Sequence, residues 1–412
     1  MAYSKNIDRI GYNDLEGRAG FKLAMKEADG HFYLYVASMW EPGLSILEVT
    51  DPENPRFIRF IAGPPNTWCL QVQVAGDRMI TNLEPVPAGW GSSGAGEPQD
   101  GFVIWDLTDP VDPRKLGTWV SGNRGTHRNF FNGGRYVHAA ASLPGFIGRI
   151  YAVVDIDDPE EPRIVGTWWY PGQNQAAGET FSDADQLKRV SGRPQPTEAI
   201  ALHGAAYQSG DRVYCPWSRG GMVILDISDI TAPAWVSTLS AYPPLGSTCG
   251  MHTVIPVPER NLAIVNDEAL NERRDEPLNF AGLVDISDER DPMLLSLFPV
   301  PEEPPGAPDG FFLRGGRFGP HNQHQRQGQD CLADTGDLVY LTYFNAGLQV
   351  FDISDVHRPR NVAYYIPDEP ATRRGPKPTD LVVQVEDVLI DRRSNIFISE
   401  KNSGITVLRP SE

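Results

Sequence analysis

Four of the eight histidines in this 412-residue chain, His127, His203, His252 and His321, stand at corresponding places in a repeating pattern, each opening a strand that leads into a hairpin. Neutral imidazole is the commonest protein ligand for zinc, copper, iron and nickel. A single histidine at a strand start is ordinarily a hydrogen-bonded structural residue. The same residue at one position of four successive repeats is instead a ligand constellation, provided the repeats bring those positions together. The chemistry expected is that of one divalent metal ion, Fe(II) first, with Cu, Zn or Mn as the other candidates. Four neutral ligands leave the ion its full charge, and coordination beyond four leaves a position for water, dioxygen or substrate.

The same position in the remaining repeats is held by Lys22, Cys69 and Glu386. Ligating histidines normally donate their second ring N–H to a carboxylate or carbonyl, so nearby acids matter. Glu84, Asp267, Glu268 and Glu400 fall near the ends of second strands. Glu386 and Glu268 are the candidate catalytic acids, with Glu386 open to roles as ligand, outer partner or general base. Lys22 and Cys69 are candidate additions to the metal site: Lys22 would offset the charge of Glu386 or meet an anionic substrate group, and Cys69 would be a fifth ligand or line the channel wall. His324, close behind His321, is a second candidate ligand, an outer partner or a substrate contact. His31 and His357 read as exposed turn residues, and His138 as packed against its own sheet.

The elements that must position these residues are strands. Six times an apolar run ends in an acidic turn closed by proline, at Asp51, Asp109, Asp158, Asp229, Asp288 and Asp355. Turn residues punctuate β-rich runs at hairpin spacing, the signal of a sheet. A long-period repeat must be recognised before any local motif is interpreted. Each unit is large enough for four strands, and four-stranded units in a circle are propeller blades. The expected fold is all-β: a single seven-bladed β-propeller over 1–412, with blades near 20–62, 68–120, 126–170, 201–243, 251–301, 317–367 and 381–409 plus 6–12. The last segment supplies only three strands, so the N-terminal strand is expected to complete that blade and close the ring, which removes exposed sheet edges.

Loop lengths fit this arrangement. The long insertions Pro85–Asp100 and Ala269–Asn279 lie between second and third strands, and Pro171–Ile200 and Glu302–Arg317 lie between blades. In a propeller all four emerge on one face, the face toward which the histidines point. Long loops in compact domains are commonly lids or binding segments, and Trp90, Phe181, Phe311 and Phe312 would give this one apolar cover.

Bulk composition sets outer limits. A net charge of −18 disfavours nucleic acid and anionic membrane surfaces. No run of 18 apolar residues occurs, and the start Met1-Ala2-Tyr3-Ser4-Lys5-Asn6 lacks a signal-peptide stretch. Four sparse cysteines read as reduced thiols. The expectation is a cytoplasmic protein that takes a small-molecule substrate, with no nucleic-acid or membrane partner and an oligomeric state the sequence leaves open.

Val223-Ile224-Leu225-Asp226-Ile227-Ser228-Asp229 and Leu348-Gln349-Val350-Phe351-Asp352-Ile353-Ser354-Asp355 resemble the strand-and-turn signature of the LVIVD-repeat family. That resemblance implies a seven-bladed propeller and says little of function. Four histidines on the axis are similar to the arrangement in two other propeller groups, the carotenoid-cleavage oxygenases and the selenium-binding, methanethiol-oxidase-like proteins. The likeness implies an oxygenase or oxidase of non-haem iron type. A redox-neutral metal lyase, hydratase or hydrolase is the alternative, and a non-catalytic scaffold binding a protein partner is the third.

Overall fold

A computed structural model of the chain describes residues 2–411 except 92–94, 183–184, 186–188, 191–192, 195–199, 241–247, 275, 277–278 and 308–309. It is an all-β propeller of seven antiparallel blades. Blade one runs Leu23–Ala28, His31–Ala37, Gly43–Glu48 and Arg56–Ala62 from the axis outward. Blades three, four and five repeat that order, opening with Thr126–Phe130, Tyr207–Ser209 and Thr253–Val257. In blade two the innermost strand is broken into Thr67–Trp68 and Val72–Ala75, both paired to Arg78–Pro85. In blade six the inner segment at His321–His324 is held to the next strand by backbone bonds without forming a long strand of its own. Among the described residues no helix is long and apolar enough to cross a membrane.

The acidic turns form for a local reason. An aspartate at the first turn position accepts a hydrogen bond from the backbone N–H two residues on, an Asx-turn that fixes the reversal before the proline. All six do so: Asp51, Asp109, Asp158, Asp229, Asp288 and Asp355 accept at 3.0–3.1 Å. The strand-end acids Asp106, Asp155, Asp226, Asp285 and Asp352 make the same bond one turn earlier.

These turns also join the blades. The fourth strand of every blade carries a register shift, a β-bulge, where it pairs with the third strand. The next blade's turn docks there. Gly117 in blade two lies so close to the Pro159 carbonyl of blade three that a methyl group would overlap it, and Gly11 meets the Pro52 carbonyl in the same way. In blades four and five the contact is a hydrogen bond: Ser237 Oγ donates to Glu289 O and Ser296 Oγ to Val356 O, each at 2.6 Å.

Between neighbouring blades lie apolar clusters. Leu34 and Leu47 of blade one pack with Leu389 and Ile405 of blade seven, Tyr35 with Val72 of blade two, and Val153 of blade three with Val213 of blade four. Ile7–Asn13 pairs with Gly404–Pro410 and completes blade seven, as expected. The sequence did not reveal that the preceding residues Tyr3–Lys5 add a further outer strand to blade six, against Tyr364–Ile366. One N-terminal segment therefore clasps two blades.

If turn docking holds the ring, Gly117→Ala should lower unfolding free energy by about 1–3 kcal/mol, the usual cost of forcing a methyl group into a packed contact. Ser237→Ala should cost only about 1 kcal/mol, the net worth of one hydrogen bond. Urea denaturation of both variants checks the order; a neutral Gly117→Ala would refute the docking account.

Candidate metal centre at the propeller hub

The backbone anchors each histidine of the expected set. The N–H groups of His203, His252 and His321 donate to Pro216, Asn266 and Thr342 carbonyls at 3.0, 2.9 and 2.9 Å, extending each inner strand toward the axis. His127 lies within Thr126–Phe130, where pairing advances from Thr126 to Asn129 while the partner moves only from Ala141 to Ala139. That bulge breaks the alternation of side chains across the sheet. Arg128 consequently reaches the hub as well, a role that no sequence pattern marks. A second bulge, between Val385 and Asp387 opposite Glu400 and Ser399, frees Glu386 in the same way.

The four imidazoles form a row, with successive ring centroids 4.8, 4.9 and 5.0 Å apart from His127 to His321. Each Nδ1 has an outer partner: Glu84 Oε2 at 2.7 Å for His127, Cys249 Sγ at 3.6 Å for His203, Thr253 Oγ1 at 2.7 Å for His252 and the Glu386 carbonyl at 2.9 Å for His321. In the last three, Nε2 faces one carboxylate. Glu268 Oε2 lies 3.3 Å from His203 Nε2 and 3.4 Å from His252 Nε2, and its Oε1 lies 3.5 Å from His321 Nε2.

Tautomers follow from these partners. Thr253 donates its hydroxyl hydrogen to the His321 carbonyl at 3.4 Å, so it accepts from His252 Nδ1–H and leaves the lone pair on Nε2. His252 Nε2 is buried without a hydrogen-bond partner. Facing a carboxylate oxygen, that lone pair is repelled unless the two share a cation. A proton is disfavoured, because burial and then Arg128 drive the His252 pKa well below its ordinary value. His203 is pushed down to about 3, chiefly by burial. Burial alone would raise Glu268, but His252, His321, His203 and Arg317 outweigh it and hold the carboxyl well below the usual range. Two neutral imidazoles and an ionised carboxylate are the protonation states a metal requires.

The donor set therefore differs from the four imidazoles expected. Among the described residues, the ligand atoms that gather within 4.8 Å of one another belong to His203, His252 and Glu268. His127 stands at the end of the row, tied to Glu84, which also meets Arg149 at 3.4 Å. His321 Nε2 receives Arg128 Nη2 at 3.1 Å, a donor directed into the lone pair a metal would use.

Other expected residues are placed as follows. Glu386 is fully buried, its carboxylate 2.6 Å from Lys401 Nζ and 3.6 Å from Arg317 Nη2. Lys22 pairs with Asp387 at 3.0 Å, not with Glu386. Cys69 packs with Leu83 and Val103, away from the hub, because the inner strand of blade two breaks at that residue; burial pushes its thiol up to about 12. His324 is structural: Nδ1 accepts from the Ile390 N–H at 3.1 Å and Nε2 donates to the Ala333 carbonyl at 3.0 Å. His138 is buried between Tyr151 and Gln208, while His31 and His357 are exposed. Asp267 accepts from the Phe280 N–H at 3.2 Å. Glu400 accepts from the Gln384 and Asn402 N–H groups, and burial raises its carboxyl to about 7.

Residues of three of the four long insertions line one cavity, which Arg317 links to this cluster. Trp90, Leu270, Arg273 and Arg317 line a cavity of about 460 Å³ together with Lys377 and Lys401. Trp90 stacks on Trp40 with centroids 6.3 Å apart, and Lys401 Nζ lies 5.9 Å from both rings. Arg317 and Lys401 line the cavity on one side and reach Glu268 and Glu386 on the other. Of the expected aromatic cover only Trp90 serves: Phe181 is buried between blades three and four, and Phe311 and Phe312 pack on Phe318. Much of the insertion 171–200 lies outside the described residues.

The LVIVD repeat matches residues 208–240, which span all four strands of blade four. No curated protein matches the chain. Among solved structures, the β-propeller domain of Myceliophteria thermophila Cps50 (Swd1) is similar over 96% of this chain and 98% of that one, at 12% identity and a TM-score of 0.55. The computationally designed Ika8 protein is similar over 97% and 98%, at 10% identity and a TM-score of 0.50. At these identities the likeness shows the fold alone.

The buried structural histidines set a pH dependence. His138 and His324 are each pushed down to about 4 by burial, against about 6.5 in an unfolded chain. A histidine with a depressed folded pKa contributes stability that is complete above pH 6.5 and is lost as pH falls toward 4, here up to about 3 kcal/mol per residue. Denaturation followed from pH 7 to 4 should show that loss, and His324→Gln, which can keep both hydrogen bonds, should reduce the slope by nearly one proton. An unchanged slope would sink this assignment.

Proposed function

We propose that the hub holds one divalent metal ion on His203 Nε2, His252 Nε2 and Glu268, and that the protein is a metal-dependent oxidoreductase acting on a small molecule admitted through the cavity beside Trp90. The observation that carries this is the unpartnered, buried His252 Nε2, 3.4 Å from an ionised carboxylate that also faces His203. Two imidazoles and one carboxylate with open positions are the donors typical of non-haem Fe(II) oxygenases, which is why iron stands first. Such an ion would supply Lewis acidity and, being redox-active, activation of dioxygen.

The chain's own groups support the centre. Arg317 Nη1 donates to Glu268 Oε1 at 2.9 Å, which orients Oε2 toward the two imidazoles. Glu386 serves as a positioning residue: its carbonyl fixes the His321 tautomer and its carboxylate holds Lys401. Phe344 stacks on His321 and lies under Arg317, keeping that side of the hub dry. The same donor set also occurs at catalytic zinc, and this favours a redox-neutral lyase or hydrolase as the second reading.

Elemental analysis of protein purified without an affinity tag should find about one equivalent of metal, iron on the first reading and zinc on the second. His252→Ala and Glu268→Gln should abolish it, and Thr253→Val, which removes the acceptor of His252 Nδ1–H, should weaken it by about 10-fold or more. His324→Gln should retain it. Metal content unchanged in His252→Ala refutes the centre, and oxygen consumption separates the two readings.

A further inference from the structure

We infer that the cavity beside Trp90 binds a small organic anion, a carboxylate carried on a flat or apolar body. The chain bears a net charge of −18, yet among the charged side chains lining this cavity Arg273, Arg317, Lys377 and Lys401 face a single acid, Glu272. Two of these cations are inside the protein, with side-chain exposures of 8% for Arg317 and 1% for Lys401. Burial of a cation is unfavourable unless it is paired. Arg317 is paired with Glu268 and Lys401 with Glu386, and at the rim Arg273 meets Asp380 at 2.6 Å and Lys377 meets Glu272 at 3.5 Å. Of these four acids Glu272 alone is among the described residues lining the cavity, so an entering anion meets the cations with little acidic side chain beside them.

The wall is not uniformly polar. Trp90, Leu270 and Pro378 give it an apolar flank, which suits a ring or short hydrocarbon better than inorganic phosphate. A guanidinium binds a carboxylate through two parallel N–H bonds. The volume, about 460 Å³, lies within the range of small-molecule sites. Arg317 touches both the cavity and Glu268, so a carboxylate held there stands one side chain from the proposed metal ligand. Its place beside the metal rests on the preceding reading, while the charge of the cavity does not.

Calorimetric titration with benzoate and with its neutral analogue benzamide tests the inference, on protein as purified and after chelation. Benzoate should bind at least about tenfold more tightly than benzamide, a difference of about 1.4 kcal/mol, and should weaken as salt is raised. Arg273 and Lys377 lie at the rim, with side chains 60% and 40% exposed, so the double variant Arg273→Ala, Lys377→Ala should fold normally and bind benzoate several-fold more weakly. Equal affinity for the two probes, no binding of benzoate, or an unaffected double variant would each overturn the inference. Metal content measured on the same samples keeps the two readings apart: metal present without benzoate preference refutes the anion site alone, and preference without metal refutes the hub centre alone.

Discussion

A closed ring of sheets must turn the inner strand of every blade toward one axis, and the apolar side chains cannot follow them there. They are used between blades, where Leu34 meets Leu389 and Val153 meets Val213. What reaches the hub is polar by necessity: Lys22 with Asp387, Lys401 with Glu386, and Arg317 and three imidazoles with Glu268. Buried ion pairs cost several kcal/mol in desolvation for each charge and are weak evidence of stability. Arg317, Glu268, Glu386, Lys401 and His321 share these contacts in one connected network, and Lys22 with Asp387 forms a separate pair.

The direction of each hub side chain depends on small departures from regular pairing. Regular strands alternate their side chains between faces. At His127–Arg128 and at Glu386–Asp387 a bulge allows neighbouring residues to act on the same hub. Arg128 then reaches His321 while His127 stays with Glu84, and Asp387 reaches Lys22 while Glu386 takes Lys401. In blade two the inner strand breaks instead, and Cys69 is turned into a small apolar cluster.

Electrostatics couples hub and cavity. Burial keeps the imidazoles neutral, and the Arg317 guanidinium, which donates to Oε1, favours the ionised form of Glu268. The same guanidinium lines the cavity, so an anion bound there competes with Glu268 for its donors. Occupancy of the pocket and charge at the proposed metal ligand are thus linked through one side chain, without any movement of a blade.

The sequence alone determined the repeat, the seven blades, closure by Ile7–Asn13 and the placing of four histidines near one axis, because these depend on short-range signals: an Asx-turn, a hairpin, a strand's apolar pattern. It also marked Glu268 as an acid near the hub. It could not say that Glu268 would join His203 and His252 as a donor, that Arg128 would fill the lone pair of His321, or that Tyr3–Lys5 would clasp blade six. Those outcomes depend on bulge positions and on contacts between residues hundreds of positions apart, such as Arg128 with His321 and Tyr3 with Ile366. No local pattern encodes a bulge's effect on a side chain in another blade. Only the assembled ring, in which every inner strand competes for the same narrow space, decides which groups meet.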